Sequence, residues 1–239
     1  MSDRARLLIV GAGGLGSPLA LALACEPRIA QITLIDPDTV EISNLHRQIL
    51  LSSAALGRPK VDAAAELLHR RCPRLQGTSP TLRIATRAER LTAKNGASLL
   101  RQHDLVIDGS DDLHTKFLVN DTACALGMPA LIGGIVRFSG QLQTLWPGSA
   151  CYRCLFEEPP PPDSVVSCQQ AGVLGPACGL VAGLMAQEAL AILEGQPRHA
   201  GAVLTLDLLT FAQRRIRLAP RADCSACCSA PPADEKSTA

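Results

Sequence analysis

The stretch LLIVGAGGLG, residues 7–16, joins a short apolar run to closely spaced glycines. The run is typical of a buried strand, and Gly11, Gly13, Gly14 and Gly16 form the turn that leads from such a strand into a helix. Bare backbone lets a phosphate approach the main-chain amides, and the N-terminus of the helix favours negative charge. The stretch therefore predicts a nucleotide-binding turn between a strand and a helix.

A carboxylate stands where a nucleotide ribose would need one. Asp36 lies 20 residues beyond Gly16 and directly follows the apolar run 31–35. At the end of a strand beside the glycine turn, it can accept hydrogen bonds from ribose hydroxyls. Taken alone, the loop and the acid indicate NAD as readily as any other nucleotide.

A polar loop and a following lysine favour ATP over NAD. Asn44, Arg47 and Gln48 lie in this loop, and Lys60 precedes the next helical pattern. Arg47 offers a planar fork and Lys60 a compact point charge, which together suit a triphosphate. A dehydrogenase needs no such pair, although a solvated basic loop is the simpler alternative for these residues.

Three carboxylates lie at the carboxyl end of the predicted strand 103–108, namely Asp108, Asp111 and Asp112. The carboxyl ends of parallel strands face the ligand crevice, so one of these groups can hold Mg²⁺ through oxygen ligation. Spacing favours Asp111. An ordinary turn followed by a helix N-cap is the alternative interpretation of the run.

Apolar runs alternate with helical patterns along the chain, which predicts a Rossmann-like α/β fold with a mostly parallel sheet flanked by helices. The expected parallel strands are 7–10, 31–35, 82–85, 103–108 and 129–132, and the expected helices are 16–25, 61–71, 113–126 and 179–193. Later runs predict C-terminal antiparallel strands at 141–146, 203–208 and 213–218.

The chain divides into three expected regions. Residues 1–150 form the Rossmann-like ATP-binding region, and residues 151–228 hold a crossover loop, a helix, a hairpin and a zinc knuckle within the same compact domain. The proline-rich segment 157–167 is expected to cross the molecule without helix, and the tail 229–239 to be disordered.

The chain contains 10 cysteines, four of them in two Cys-x-x-Cys pairs. Cys151, Cys154, Cys224 and Cys227 can give four thiolates to one tetrahedral Zn²⁺ if the fold brings the pairs together across 69 residues. Two unrelated turns with free thiols are the alternative, and the adjacent Cys228 leaves the register of the second pair open. The expected role of the metal is to anchor the C-terminus. Four more cysteines are interpreted as small core residues: Cys25, Cys72, Cys124 and Cys178.

Charge and hydropathy argue against two classes of partner. The formal net charge of +1 provides no bulk attraction for nucleic acid or for an anionic membrane. No segment is expected to approach the roughly 20 apolar residues that span a bilayer, and the apolar run near the N-terminus is too short for a signal peptide. A cytoplasmic protein is expected.

The ordered motifs resemble those of the ThiF/MoeB/HesA enzymes, bacterial relatives of ubiquitin-activating enzymes. The matching segments are 11–16, 36–38, 43–48, 57–60, 108–111, 151–154 and 168–176. The resemblance covers about residues 7–228 and implies ATP-dependent adenylation of the C-terminal Gly-Gly of a small ubiquitin-like sulfur-carrier protein. It also implies thiamine or molybdenum cofactor synthesis and a homodimer. No rhodanese-like domain is recognised in the sequence, so the sulfur donor is expected to be a separate protein.

Site residues follow from the same resemblance. ATP contacts are implied for Gly13, Asp36, Asn44, Arg47, Gln48 and Lys60, and Gly11, Gly14, Gly16 and Asp38 complete the candidate site. Asp111 would be the essential aspartate associated with Mg²⁺. Cys168 is similar in position to the family cysteine that, in thiamine-type members, joins the carrier through an acyl disulfide. In the molybdenum-type relatives the equivalent thiol is not required for adenylation, and a half-buried thiol in a loop is the alternative interpretation. Arg47, Lys60, Asp111 and Cys168 are thus the candidate catalytic residues.

The chain departs from the family pattern in two places. Asp112 and Lys116 replace the usual Asn and Arg, and only six residues precede the first strand. The family's N-terminal arginine contacts the partner subunit's ATP, so either Arg4 or Arg6 reaches across here or that contact is absent. Other interpretations are an NAD(P)-dependent oxidoreductase, a non-catalytic nucleotide-binding partner, or the same chemistry on another carrier.

Overall fold

The apolar run before the glycine loop lies at the centre of a sheet in the computed structural model, which describes residues 4–72, 81–161 and 172–228. This run belongs to β1 (Ala5–Val10), where residues 7–10 are at most 4% exposed. Parallel neighbours flank it on both sides, β2 (Ile29–Ile35) and β4 (Leu105–Asp108). Both faces of these strands are covered, so the run is continuously apolar rather than alternating.

The other strands of the described residues are β3 (Arg83–Arg87), β5 (Ala130–Val136), β6 (Ser139–Leu145), β7 (Ala202–Asp207) and β8 (Ala212–Arg217). Together they form one eight-stranded sheet in the order β3-β2-β1-β4-β5-β6-β7-β8. The first five strands of this order are parallel, and the remaining pairings are antiparallel. The predicted α/β fold, with its C-terminal antiparallel strands, is confirmed.

The chain leaves β1 towards β2 on one side and later returns to β4 on the other. Strand order therefore reverses between β1 and β4, and such a reversal opens a crevice at the carboxyl ends of the strands. The glycine loop follows β1 directly, and the carboxylates at 108–112 lie at the carboxyl end of β4. The topology thus places the two motifs at one edge of the sheet.

Helices cover both faces of the sheet. They are α1 (Gly16–Ala24), α2 (Lys60–Arg71), α3 (Gly96–Leu100), α4 (Leu113–Leu126), α5 (Tyr152–Leu155) and α6 (Gly175–Leu193). Helices α1 and α6 pack against each other in one hydrophobic cluster, while α3, α4 and α5 belong to a second. The sheet separates the two clusters.

Helix α6 begins at Gly175, four residues before the predicted start, because Leu174 is extended and Pro176 fits the first turn of a helix. The expectation that no segment reaches spanning length is wrong by length and composition, since α6 has 19 residues and a mean hydropathy of 1.5. In the fold, 56% of the most apolar 18-residue stretch of this helix is buried. Packing on α1, β5 and β6 accounts for this apolarity.

Two expectations about connections lie partly or wholly outside the described residues. These are residues 162–167 of the crossing segment and the tail 229–239. Strands β7 and β8 come from the expected second region and extend the same sheet as β1. The division at residue 150 stays a prediction.

Candidate nucleotide-binding site and cysteine cluster

The glycine loop packs too closely to accept side chains at its two ends. Gly11 has φ +89°, and a Cβ there would lie 3.0 Å from the backbone of Ser110. A Cβ on Gly16 would lie 1.8 Å from the carbonyl oxygen of Gly11. Gly13 and Gly14 line a cavity, whereas Gly16 does not. The glycines therefore serve two purposes, close packing at the ends of the loop and exposed backbone in its middle.

Asp36 holds the glycine loop in place. Its carboxylate is buried and accepts hydrogen bonds from the main-chain N–H groups of Ala12 (2.8 Å) and Asp38 (2.8 Å). Burial raises the pKa of Asp36, and the nearby charge of Lys60 opposes this rise. Each carboxylate oxygen keeps a further acceptor position. Asp36 can therefore support the loop and still accept a hydrogen bond from a ribose hydroxyl.

The polar loop places Arg47 beside the glycines. Its Nη2 donates to Asn44 Oδ1 at 2.6 Å, and its stem lies 3.3 Å from the Cβ position of Gly14. Gln48 is 3% exposed, and within the part of the chain that the structure describes its Oε1 has no hydrogen-bond partner. The Nε2 of Gln48 lies 3.6 Å from the Cβ position of Gly13. The loop thus brings a cation and an unsatisfied amide to the glycine backbone.

Lys60 is the first residue of α2, and its side chain is only 7% exposed. Its Nζ donates to Asp38 Oδ2 at 2.7 Å, although the side chain of Asp38 is 59% exposed. Both residues line the same cavity as Arg47. Two cations and the glycine loop therefore line one cavity.

The three carboxylates at the carboxyl end of β4 have different surroundings in the structure. Asp108 is fully buried, and its oxygens accept hydrogen bonds from Ser110 N–H and Lys116 Nζ. Asp112 caps α4, accepting from the N–H groups of His114 and Thr115. Asp111 is exposed at the cavity, and no described residue bonds to its carboxylate. Asp111 is therefore the member of this trio that is available to a ligand.

These residues surround one cavity of about 1340 Å³. Every candidate nucleotide-binding residue named from the sequence lines it, except Gly16. The cavity continues across the carboxyl end of β5 and over β6, β7 and β8, where Gly134, Gln141, Thr205 and Arg214 line it. It therefore joins a compact pocket at the glycine loop to a groove along the antiparallel strands.

Some lining residues are not predicted by the sequence motifs. Glu89, Arg90 and Leu91 reach the cavity from the end of β3, and Cys178 reaches it from α6. Cys178 is buried, and its Sγ lies 3.0 Å from the Cβ position of Gly14. Strand and helix patterns do not show which connection lies over a pocket. The sequence therefore does not identify these positions as cavity-lining residues.

Four cysteine thiols form a cluster that joins the segment around α5 to the C-terminal region. The Sγ atoms of Cys151, Cys154, Cys224 and Cys227 all lie within 4.8 Å of one another. Cys151 and Cys224 are 3.5 Å apart, as are Cys154 and Cys227. Such spacing suits four sulfurs around one ion with Zn–S bonds near 2.3 Å. The fold thus joins the two pairs despite their separation in sequence.

The remaining cysteines fall into different settings. Cys228 lies outside the cluster, where its Sγ donates to the carbonyl oxygen of Arg221, so the register ambiguity is resolved in favour of Cys227. Cys72 is buried as predicted, but Cys25 is exposed because it lies at the end of α1, beyond the packed turns. Cys168 lies outside the described residues.

The arginines near the N-terminus bond within their own chain at the amino end of the sheet. The guanidinium of Arg4 donates to the carbonyl oxygens of Pro27, Ile29 and Thr81. Arg6 forms an ion pair with Asp104 at 3.7 Å. In this arrangement both arginines lie at the end of β1 opposite the glycine loop.

A parallel sheet with a glycine turn, an acid after the next strand and a cation-lined crevice defines the class of Rossmann-type nucleotide-binding proteins. Within this class the particular assignment comes from comparison with known families. The ThiF family model matches residues 2–227, and the chain belongs to the ThiF family.

Relatives with known names share more than a third of their aligned residues with this chain. A sulfur carrier protein adenylyltransferase from Thermus thermophilus is 39% identical over 231 residues, which are 94% of this chain and 82% of that protein. The adenylyltransferase and sulfurtransferase MOCS3 of Sus scrofa is 39% identical, and the alignment covers 97% of this chain. This chain spans only about half of that protein, at 50% of its length.

Solved structures share the fold at lower identity. The crystal structure of E. coli MccB with ATP superposes with a TM-score of 0.80 at 20% identity, covering 95% of this chain and 68% of that chain. A structure of MccB in complex with N-formylated MccA gives a TM-score of 0.79. These likenesses support the architecture described above.

Proposed function

We propose that this protein adenylates the C-terminal carboxylate of a small sulfur-carrier protein that ends in Gly-Gly, using ATP. One observation carries the proposal. The glycine backbone, Arg47, Lys60 and the carboxylate of Asp111, to which no residue in the described ranges bonds, all line one cavity, and that cavity continues as a groove along β6, β7 and β8. The pocket suits a triphosphate, and the groove suits an extended peptide tail.

The reaction exchanges one bond at the α-phosphorus for another. An oxygen of the carrier's terminal carboxylate forms a bond to this phosphorus, and the bond between the α-phosphorus and the bridging oxygen breaks. Pyrophosphate leaves with the electron pair. The carboxylate is already ionised near neutral pH, so no general base is required, and alignment and charge neutralisation are the tasks of the protein.

Arg47 and Lys60 provide the neutralising charge. Lys60 is held in the buried wall by a carboxylate that is itself mostly in solvent, and Arg47 lies against the glycine backbone. Charge-assisted hydrogen bonds from such cations to phosphate are about twice as strong as neutral ones. Asp111 would hold Mg²⁺, which supplies further neutralisation of phosphate charge when bound.

The carrier would dock beside the groove. The turn between β7 and β8 exposes Leu209 (66%) and Phe211 (77%), and Ile216 on β8 is 48% exposed. Arg214, on the same strand, lines the groove. An apolar and cationic surface that continues into the pocket fits a folded carrier whose flexible tail enters the groove.

The cysteine cluster would bind Zn²⁺ in a structural role. Four thiolates leave no open position for chemistry in a tetrahedral site. Through Cys224 and Cys227 the metal would fasten the chain end to α5. Structural zinc sites contribute on the order of 10 kcal/mol in model peptides.

Family membership and the names of relatives support adenylation of a sulfur carrier, and they leave the pathway open between thiamine and molybdenum cofactor synthesis. We retain homodimer formation, attachment of the carrier to Cys168 and a separate sulfur donor as parts of the proposal. A cytoplasmic location is proposed on the same basis.

The direct test is incorporation of labelled pyrophosphate into ATP in the presence of a carrier that ends in Gly-Gly. Exchange is expected for the wild type, and loss of exchange is expected for Asp111→Ala. A carrier that lacks its last glycine is the matched control and should support little exchange. NADH should show no fluorescence enhancement on mixing with the protein. Failure of every Gly-Gly carrier to support exchange would contradict the proposal.

A further inference from the structure

Lys116 lies beneath the turn that carries Asp111. It is the fourth residue of α4 and is 4% exposed. Its Nζ donates three hydrogen bonds, to Asp108 Oδ2 (2.8 Å), to the carbonyl oxygen of Ser110 (2.8 Å) and to the carbonyl oxygen of Gly133 (2.6 Å). An ammonium group has three donors, so its capacity is fully used.

Two hydrogen bonds fix the main chain of Ser110, the residue that precedes Asp111, one at its N–H and one at its carbonyl oxygen. The N–H of Ser110 donates to Asp108 Oδ1 at 3.0 Å, while the carbonyl oxygen of Ser110 accepts from Lys116. The same residue lies against the glycine loop, since a Cβ on Gly11 would be 3.0 Å from its backbone. Ser110 therefore links the position of Asp111 to that of the phosphate-binding loop.

The ion pair between Lys116 and Asp108 contributes little to the stability of the fold. Lys116 puts a positive charge near the N-terminus of α4, which the helix dipole disfavours. Its partner Asp108 is 0% exposed, and a buried pair of charges loses much of its hydration. Well-packed apolar residues can replace such pairs without loss of stability. The specific result of this pair is the fixed geometry of the 108–111 turn.

We infer that Lys116 is a positioning residue for the adenylation site, because its ammonium fixes the Ser110 peptide and so aims the Asp111 carboxylate at Mg²⁺ and ATP. This inference rests on the proposed function. Lys116 acts through Asp111 and the turn rather than on the reacting atoms.

The test compares three substitutions. Lys116→Met removes the donors, Lys116→Met combined with Asp108→Asn also removes the carboxylate charge left buried by the first change, and Lys116→Arg restores charge and donors. Glu188→Gln is the matched control, because Glu188 is 2% exposed and accepts from Thr144 Oγ1 and His199 N–H, away from the cavity.

Two quantities separate positioning from general destabilisation. The first is the kcat of pyrophosphate exchange, and the second is the Mg²⁺ concentration that gives half-maximal exchange. The Met variant and the double variant should lose about 100-fold in kcat, the size expected for a displacement near 1 Å, and should require several-fold more Mg²⁺. The KM for the carrier should stay unchanged. Lys116→Arg should restore most of the activity, and Glu188→Gln should change neither quantity.

A folded double variant with wild-type kcat and wild-type Mg²⁺ dependence would overturn the inference. A second measurement distinguishes failure of this inference from failure of the proposed function. It is the thermal stabilisation of the protein by ATP, with and without Mg²⁺, in the absence of carrier. If the wild type exchanges no pyrophosphate, adenylation fails. In that case the positioning of Asp111 by Lys116 is supported if Mg²⁺ strengthens ATP stabilisation of the wild type but not of the Lys116→Met protein, and it is overturned if Mg²⁺ strengthens both equally.

Discussion

Lys60 Nζ lies 2.7 Å from Asp38 Oδ2, which pairs a nearly buried cation with a carboxylate that is mostly in solvent. The exposed partner remains well hydrated, while the ammonium stays in the wall of the cavity. A phosphate that enters the cavity can therefore take over hydrogen bonding to Lys60, and Asp38 can turn to water. The pair keeps the cation in place before the nucleotide arrives.

Lys60→Met should raise the KM for ATP by roughly 10-fold or more, because a hydrogen bond to a charged group contributes about 1.5–3 kcal/mol. Steady-state pyrophosphate exchange measures this change. Arg58→Met is the control, since Arg58 is exposed and pairs with Glu66. Equal effects of both substitutions would argue against a phosphate contact at Lys60.

Asp111 and Asp112 are neighbours with different expected roles. Asp111→Asn should lower kcat by at least about 100-fold, as removal of one electrostatic contact in an active site often does. Asp112→Asn should change kcat by less than about 3-fold, since Asn caps a helix about as well as Asp. The ion pair of Asp112 with Arg90 at 3.6 Å is exposed and contributes little. The reverse ranking would contradict the assignment.

Loss of the metal should destabilise the C-terminal part of the chain. A strong chelator, or Cys227→Ser, should lower the melting temperature and release about one equivalent of zinc. Cys228→Ser is the matched control, because Cys228 lies outside the thiol cluster. Metal analysis and calorimetry on the same samples test this. Identical behaviour of the two serine variants would rule out the four-thiol site.

His103 should make stability fall in mild acid. Burial lowers its pKa from the ordinary value of 6.5, and its ring bonds to Thr33 Oγ1 and to the carbonyl oxygen of Leu99. The unfolded chain therefore binds the proton more readily than the folded one, so stability is complete above pH 6.5 and declines as pH falls towards the folded pKa.

Urea unfolding between pH 5 and 8 measures this decline. His103→Gln should make the decline shallower without abolishing it, because burial also lowers the pKa of His199. His69→Gln should leave it unchanged, since His69 is exposed. An unaltered slope in the His103 variant would assign the decline to other groups.

The hairpin turn should bind the carrier rather than stabilise the fold. Phe211 is 77% exposed and has φ +57°, a conformation that Asn adopts more readily than Phe. Phe211→Asn should raise the KM for the carrier by roughly 10-fold and leave both the KM for ATP and the melting temperature unchanged. Leu180→Gln, on the exposed side of α6, should alter none of these. A carrier KM unaffected by the Phe211 change would place docking elsewhere.

Local patterns determined most of the architecture. The apolar run 7–10 and the glycines after it required a strand, a tight turn and a helix, because no other backbone suits that spacing. Alternation of strands and helices then required a parallel sheet. For the same reason the carboxyl ends of β1 and β4, and the motifs after them, had to meet at one edge.

Only the tertiary structure decided which members of each motif are free to act. The sequence favours Asp111 over Asp108 and Asp112 by spacing and resemblance alone, whereas the bonds of Lys116, the Ser110 peptide and the α4 cap show which carboxylates are already engaged. It could not choose between Cys227 and Cys228, because the choice depends on a contact with Cys154 across 73 residues. The sequence shows which side chains have suitable chemistry. Whether such a side chain is free to bind a ligand depends on the partners that folding brings to it from distant segments.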